Sequence, residues 1–280
     1  MGVLRRTAAV VVPLGLVIGG VAYGVSRHDS GGDSTLGLCT THVGNLTVQL
    51  SDTQARNASL IAAIAVQRGM PAHAATIGLA TALQESKLYN LRGGDRDSLG
   101  LFQQRPSQGW GTPAQVLDPV HATNAFYDAL EKVDGYDTLP VTVAAQRVQR
   151  SGYPSAYAAY ENDARALASA LTGYSPAAFR CHLPEPSGSP APSAARRAVA
   201  LQRALAPAFG TVSVTVGPQG SLRVAADSRP HGWALASYLV ARAGGLHLGE
   251  VSYAGRNWSA GTDNGWRPGA GSVAGAVVVH

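Results

Sequence analysis

The chain predicts an α+β protein in two parts, a mainly helical first part and a smaller mixed second part. Three observations carry this reading. Apolar residues recur at helical spacing from Asn57 to Leu171; a Pro- and Ser-rich stretch, Leu183 to Ser193, breaks the pattern; beyond it short strand-like runs alternate with helical ones. A chain of 280 residues with 45% hydrophobic content has room for about two domains and a real core. The boundaries fall at 1–30 (N-terminal anchor and start of a stalk), 31–182 (helical domain), 183–193 (semi-rigid linker) and 194–280 (small α+β domain).

At the N-terminus, Arg5 and Arg6 precede an uncharged stretch from Ala8 to Val25, and polar Ser26-Arg27-His28-Asp29 follows. About 18 such residues suffice to cross a bilayer, with the arginine pair on the cytoplasmic side. A single-pass membrane protein with extracytoplasmic domains is expected. Ala22-Tyr23-Gly24 also suits a signal peptidase, so a cleaved and secreted form stays open. Residues 26–38, rich in Gly, Ser and Asp, read as a stalk.

Within the helical part, Leu46 to Leu50 alternates like a short strand. Asn57 to Arg68 places Leu60, Ile61 and Ile64 on one helical face. Met70-Pro71 ends that helix and starts the next, which runs to about Ser86 and carries Glu85. Arg92 to Gln104 has too many glycines and aspartates for a helix and reads as a loop or small hairpin. Thr112-Pro113 and Asp118-Pro119 start two further helices, the second with Val120, Phe126 and Leu130 as its stripe. Val141–Arg150 and Tyr157–Leu171 follow, separated by Gly152 and Pro154. After the linker come a helix from Ala194 to Leu205 and paired strands, Thr211–Val216 and Leu222–Ala226, around Pro218-Gln219-Gly220. A helix from Gly232 to Ala243 and strands at Glu250–Tyr253 and Ser272–Val279 complete the chain.

The formal charge is +5, from 22 basic and 17 acidic residues, and only Lys87 and Lys132 are lysines. Beyond two arginine pairs there is no basic run, so no nucleic-acid partner is expected; a mild positive charge suits an anionic surface. The two cysteines, Cys39 and Cys181, bracket the helical part, and an even pair in an exported chain predicts a disulfide. Eight scattered histidines, without ligand spacing, predict no metal.

One carboxylate stands out. Glu85 lies near the end of an apolar helical run, ahead of a glycine-rich turn and the pattern Ser98-Leu99-Gly100-Leu101-Phe102-Gln103. At a helix C-terminus it faces the negative end of the helix dipole, and apolar Leu83 and Phe102 also disfavour charge. Both effects favour the protonated acid that a glycosidic oxygen needs as a proton donor. Glu85-Ser86 followed by Ser98-x-Gly-Leu-x-Gln103 resembles the lysozyme-like lytic transglycosylases, in an actinobacterial exported branch with an extra C-terminal module. The resemblance covers roughly residues 45 to 175. It departs near the last helix, where the family's Ala-Tyr-Asn is replaced by Ala144-Ala145-Gln146-Arg147-Val148-Gln149, and Tyr153 and Tyr157 are candidates for the phenol.

The resemblance implies a lysozyme-like domain that cleaves the bond between N-acetylmuramic acid and N-acetylglucosamine in peptidoglycan. Glu85 would be the catalytic acid and then base, and Ser98, Gln103 and Tyr157 would bind the glycan strand. No cofactor is implied, and the second partner is the membrane, through the N-terminal helix. A lytic reaction with a 1,6-anhydro product needs one carboxylate, because the nucleophile is intramolecular. A hydrolytic muramidase needs two, and Asp95 or Asp97 could supply the second. A catalytically silent wall-binding or assembly protein using the same cleft is the alternative from another class. In the second part, Trp233, Trp258 and Trp266 are open to two readings, sugar-stacking platforms or core.

Overall fold

The computed structural model of the protein describes residues 37–150, 155–186, 192–262, 265–269 and 273–280. The expected anchor, most of the stalk, Tyr153 and the centre of the linker lie outside the described residues. Among the described residues no helix is long and apolar enough to cross a membrane. Helix and sheet are mixed, as an α+β class requires.

The first part opens with two strands, β1 (Leu38–Val43) and β2 (Leu46–Ser51), joined at Gly44, whose φ of +60° suits a residue without a Cβ. A third strand, β3 (Phe179–His182), returns far along the chain and pairs with β1, giving the antiparallel order β2-β1-β3. Cys39 stands opposite Cys181 in this register, and the two are bonded across 142 residues of sequence. Of this sheet the sequence pattern reveals only β2.

Ser51 then caps α1 (Asp52–Gln67): its hydroxyl accepts from the Gln54 N–H while the Gln54 amide accepts from the Ser51 N–H. This reciprocal pair starts the helix five residues before the expected Asn57, because it satisfies two orphan donors at the first turn. Helix α2 (Ala72–Ser86) follows Pro71 and is buried without interruption from Ala74 to Leu83. A helix apolar on all sides belongs at the centre of a bundle, and α2 is packed by α1, by α4 (Pro119–Leu130), by α5 (Val141–Gln149) and by α6 (Glu161–Leu171). A single turn, α3 (Pro113–Val116), leads into α4, and a 3-10 turn, Ala156–Tyr160, leads into α6.

The second part begins with α7 (Ala194–Phe209), followed by β4 (Val214–Val216), β5 (Leu222–Ala225), α8 (Arg229–Val240) and the short α9 (Ala243–Leu246). Strands β6 (Glu250–Tyr253), β7 (Arg256–Ser259), β8 (Arg267–Pro268) and β9 (Ala276–Val279) complete an antiparallel sheet in the order β4-β5-β9-β6-β7-β8. Helix α8 is buried from Gly232 to Val240 and touches α1 and α6 as well as β6 and β9. Gly232 permits the tight approach to the sheet, since a Cβ there would stand 2.0 Å from the Tyr253 ring.

The packing bears on two expectations. The sequence suggests halves that fold independently across a linker, yet residues 35–280 form one compact unit. Side chains of the second part bond to backbone of the first: Trp258 Nε1 donates to Cys181 O at 2.9 Å and Trp266 Nε1 to Phe179 O at 2.7 Å. Arg242 donates to Ser59 Oγ at 2.6 Å and Arg56 O at 2.9 Å, with its guanidinium 3.6 Å from the Tyr238 ring centre. Burial pulls that guanidinium down to about 10, still cationic at neutral pH. The second concerns the tryptophans: Trp233 and Trp258 are buried core side chains, while Trp266 is partly exposed and packs edge-on against Trp233.

Candidate active site

Glu85 sits in the last turn of α2, half-buried, and the chain behind it reverses through two consecutive left-handed residues, Lys87 (φ 54°) and Leu88 (φ 63°). Helix ends commonly use one such residue, usually glycine. Here neither is glycine, and Leu88 is fully buried, a conformation that costs on the order of 1–3 kcal/mol and persists only where neighbours enforce it. The neighbours are identifiable. Leu88 N–H bonds Ala82 O at 3.1 Å, Gln54 Nε2 donates to Lys87 O at 2.9 Å, and Asn57 Nδ2 donates to Leu88 O at 2.7 Å. The cap of α1 thus also holds the end of α2, through the two ends of one amide.

The following loop is the small hairpin expected from its composition, with ladder contacts Leu91 to Gly100 and Leu99 to Gln104. Gly100 (φ +79°) is needed, since a Cβ would come within 2.5 Å of Val116 O. Ser86 Oγ donates to Leu101 O at 2.7 Å, which ties the residue beside Glu85 to the hairpin's return. Phe102 stacks on Phe126 with ring centres 4.6 Å apart, and its carbonyl accepts from Gln149 Nε2 at 2.7 Å. Gln103 (φ 48°) turns its amide back over Gly94, where any side chain would collide with it, and donates to Gly100 O at 3.2 Å.

Opposite Glu85 lies the 3-10 turn Ala156–Tyr160. Residues three apart eclipse in such a turn, and the pair used is Tyr157 and Tyr160. Buried Tyr157 donates its hydroxyl to Glu85 Oε1 at 2.8 Å. Tyr160 accepts a hydrogen bond from the Lys87 ammonium, which lies 4.2 Å from the centre of its ring. One face of one turn therefore fixes the carboxylate and the cation two residues on. Oε1 is held in this way, and no hydrogen bond from a described residue reaches Oε2.

The structure brings Glu85 and Tyr157 together, keeps Gln103 partly exposed in the adjoining hairpin, and buries Ser98 inside that hairpin, where its N–H bonds Asp95 O at 3.1 Å. The two candidate second carboxylates are placed differently. Asp97 accepts from Ser107 N–H at 2.8 Å and from Arg105 Nε at 2.7 Å. These contacts, the Ser107 backbone first, hold its carboxyl far below the usual range. Asp95 is almost wholly exposed beside Arg96. Gln54, Asn57 and Gln149 were not singled out by sequence reasoning. For Gln149 a signal existed, because it closes the segment where the chain departs from the pattern it otherwise resembles.

A separate cavity of about 550 Å³ lies between the ends of α4 and α5; Glu85 does not line it, but Gln149 does. No group of three or more His, Cys, Asp or Glu side chains that could hold a metal occurs among the described residues. Comparison with protein-family models and with curated proteins returns no match to this chain.

Proposed function

We propose that the protein is a lysozyme-like glycosidase of peptidoglycan, exported and either held at the membrane or secreted, that cleaves between N-acetylmuramic acid and N-acetylglucosamine by the lytic route. The observation that carries this reading is the hydrogen bond from Tyr157 to Glu85: a half-buried carboxylate, oriented by a buried phenol, in the sequence context of a catalytic acid. Its environment is also held by unusual backbone at Lys87, Leu88 and Gln103, and strain of this kind concentrates at functional sites.

Glu85 Oε2 would deliver its proton to the glycosidic oxygen as the bond to C1 of the muramic residue breaks. The carboxylate left behind would then take the proton of the C6 hydroxyl while that oxygen closes on C1, giving the 1,6-anhydro end. The intramolecular hydroxyl stands in for a second catalytic group through its effective concentration. Asp97 is committed to holding the hairpin and Asp95 stands in solvent, which favours one working carboxylate over the facing pair that a hydrolase uses. Gln103 would position the strand; Ser98, buried, would act by shaping the hairpin.

The test is mass spectrometry of fragments released from purified cell wall. Glu85→Gln keeps shape and removes the transferable proton, so cleavage falls by roughly 10²–10⁴-fold, the share attributed to general acid–base catalysis. Anhydro-muramyl products from the wild type and none from Glu85→Gln support the proposal. Reducing ends from the wild type replace the lytic route by hydrolysis. Binding without any release makes the protein a wall-binding one.

A further inference from the structure

The cavity of about 550 Å³ falls within the usual size of a ligand site. Its lining combines two chemistries: apolar Ala129, Val133 and Val148 with Trp110, and cationic Lys132, Arg147 and Arg150. None of the three cations forms an ion pair with a described carboxylate; each acidic side chain paired elsewhere serves a different cation. Positive charge at the ends of α4 and α5 complements the helix dipoles. That alone requires no concavity, no aromatic lining and no convergence of both helix ends on one space.

We propose that this cavity binds a short peptide bearing carboxylates. Arginine's planar fork matches a carboxylate, the apolar lining accepts small methyl-bearing side chains, and Gln108 adds an amide for the peptide backbone. The apolar lining argues against a bare phosphate-bearing polymer, which has nothing to place there. The cavity adjoins the candidate catalytic hairpin through Gln149, which lines it and bonds Phe102 O, next to Gln103. If the proposed glycosidase reading holds, on which this identification rests, the peptide is the stem carried by the muramic residue, and the cavity selects strands whose stems keep free carboxylates.

Binding to the full chain is measured by calorimetry with three probes: a muramyl peptide with free carboxylates, the same peptide amidated, and a neutral N-acetylglucosamine oligomer. Wild type prefers the free-carboxylate peptide to the amidated one by on the order of tenfold, the worth of one charge-assisted hydrogen bond. The variant Lys132→Gln/Arg147→Gln, at two exposed positions, loses that preference and keeps the wild-type affinity for the neutral oligomer, which shows that it is folded. Equal binding of both peptides by wild type, or a preference that survives in the variant, overturns the inference. A glycerol-phosphate oligomer that displaces the peptide with higher affinity also overturns it in favour of a phosphate site. The neutral oligomer keeps the two readings apart: if it binds and the carboxylate preference is absent, only the cavity assignment fails, whereas if no glycan probe binds, the glycosidase reading fails as well.

Discussion

The surroundings of Glu85 and the seam between the two parts use the same device with opposite results. In both, a side chain from one element donates to a backbone carbonyl of another: Gln54, Asn57, Ser86 and Gln149 around the site, Trp258, Trp266 and Arg242 at the seam. At the seam the donors are large and bring their own apolar area, so each bond closes the space around it. Around the site the donors are mostly small amides and a hydroxyl, reaching carbonyls of irregular backbone. They fix a loop without covering it, and the carboxylate stays half-exposed. The size of the donor, more than the number of bonds, separates a joint from a cleft.

The largest test of this contrast is at the seam. Trp258→Ala removes a fully buried side chain and its bond to Cys181 O, and should destabilise residues 35–280 by about 3–5 kcal/mol. Urea unfolding followed at both the near- and far-ultraviolet should stay a single transition in wild type. Two separated transitions, with the first part surviving, would restore the independent halves that composition suggests.

Next in size is Tyr157→Phe, which deletes the donor to Glu85. Leaving a part-buried acceptor without its donor costs about 1–3 kcal/mol, so wall cleavage should fall roughly five- to hundredfold. An unchanged rate would show that Tyr157 merely packs. Gln103→Ala should act more weakly, at about 0.5–1.5 kcal/mol in apparent substrate affinity, because one positioning bond is lost. A loss as large as that of Glu85→Gln would promote Gln103 to a chemical role.

The smallest effect is pH-dependent. The Asp97 carboxyl is held below its ordinary value, so its contribution to hairpin stability is complete above the unfolded carboxylate range, near pH 4, and fades as pH falls further. Asp97→Asn should therefore speed amide exchange in residues 95–107 at pH 7 and leave exchange at the acid extreme closer to wild type. Equal protection at pH 7 would make the Arg105 and Ser107 contacts decorative.

The parts legible in the sequence are those written locally. Helix α2 and its terminal Glu85 follow from a ten-residue apolar run, a proline before it and a polar turn after it. The hairpin follows from its glycines, and the bond between Cys39 and Cys181 from an even pair in a chain whose N-terminus reads as an export signal. Strand β1 escaped because it is short and half polar, although its hairpin partner β2 adjoins it, and β3 because it is meaningful only beside a strand about 140 residues earlier in the chain. The seam escaped for the same reason: proline and serine at 183–193 describe the stiffness of a segment, not what its two ends touch. The sequence offers Tyr157 as a phenol for the substrate, but its contact with Glu85 depends on how the 3-10 turn is laid against α2, which no local pattern states.

The disulfide has a mechanical side. Strand β1 is the first element of the described chain and the middle strand of its sheet, with Cys39 at its second position. A pull on the chain before residue 37 meets the covalent link almost at once and passes to β3. There Trp258 and Trp266 hold the carbonyls of Cys181 and Phe179. Tension entering at the N-terminal end thus reaches, through one covalent bond, the strand that the far sheet grips.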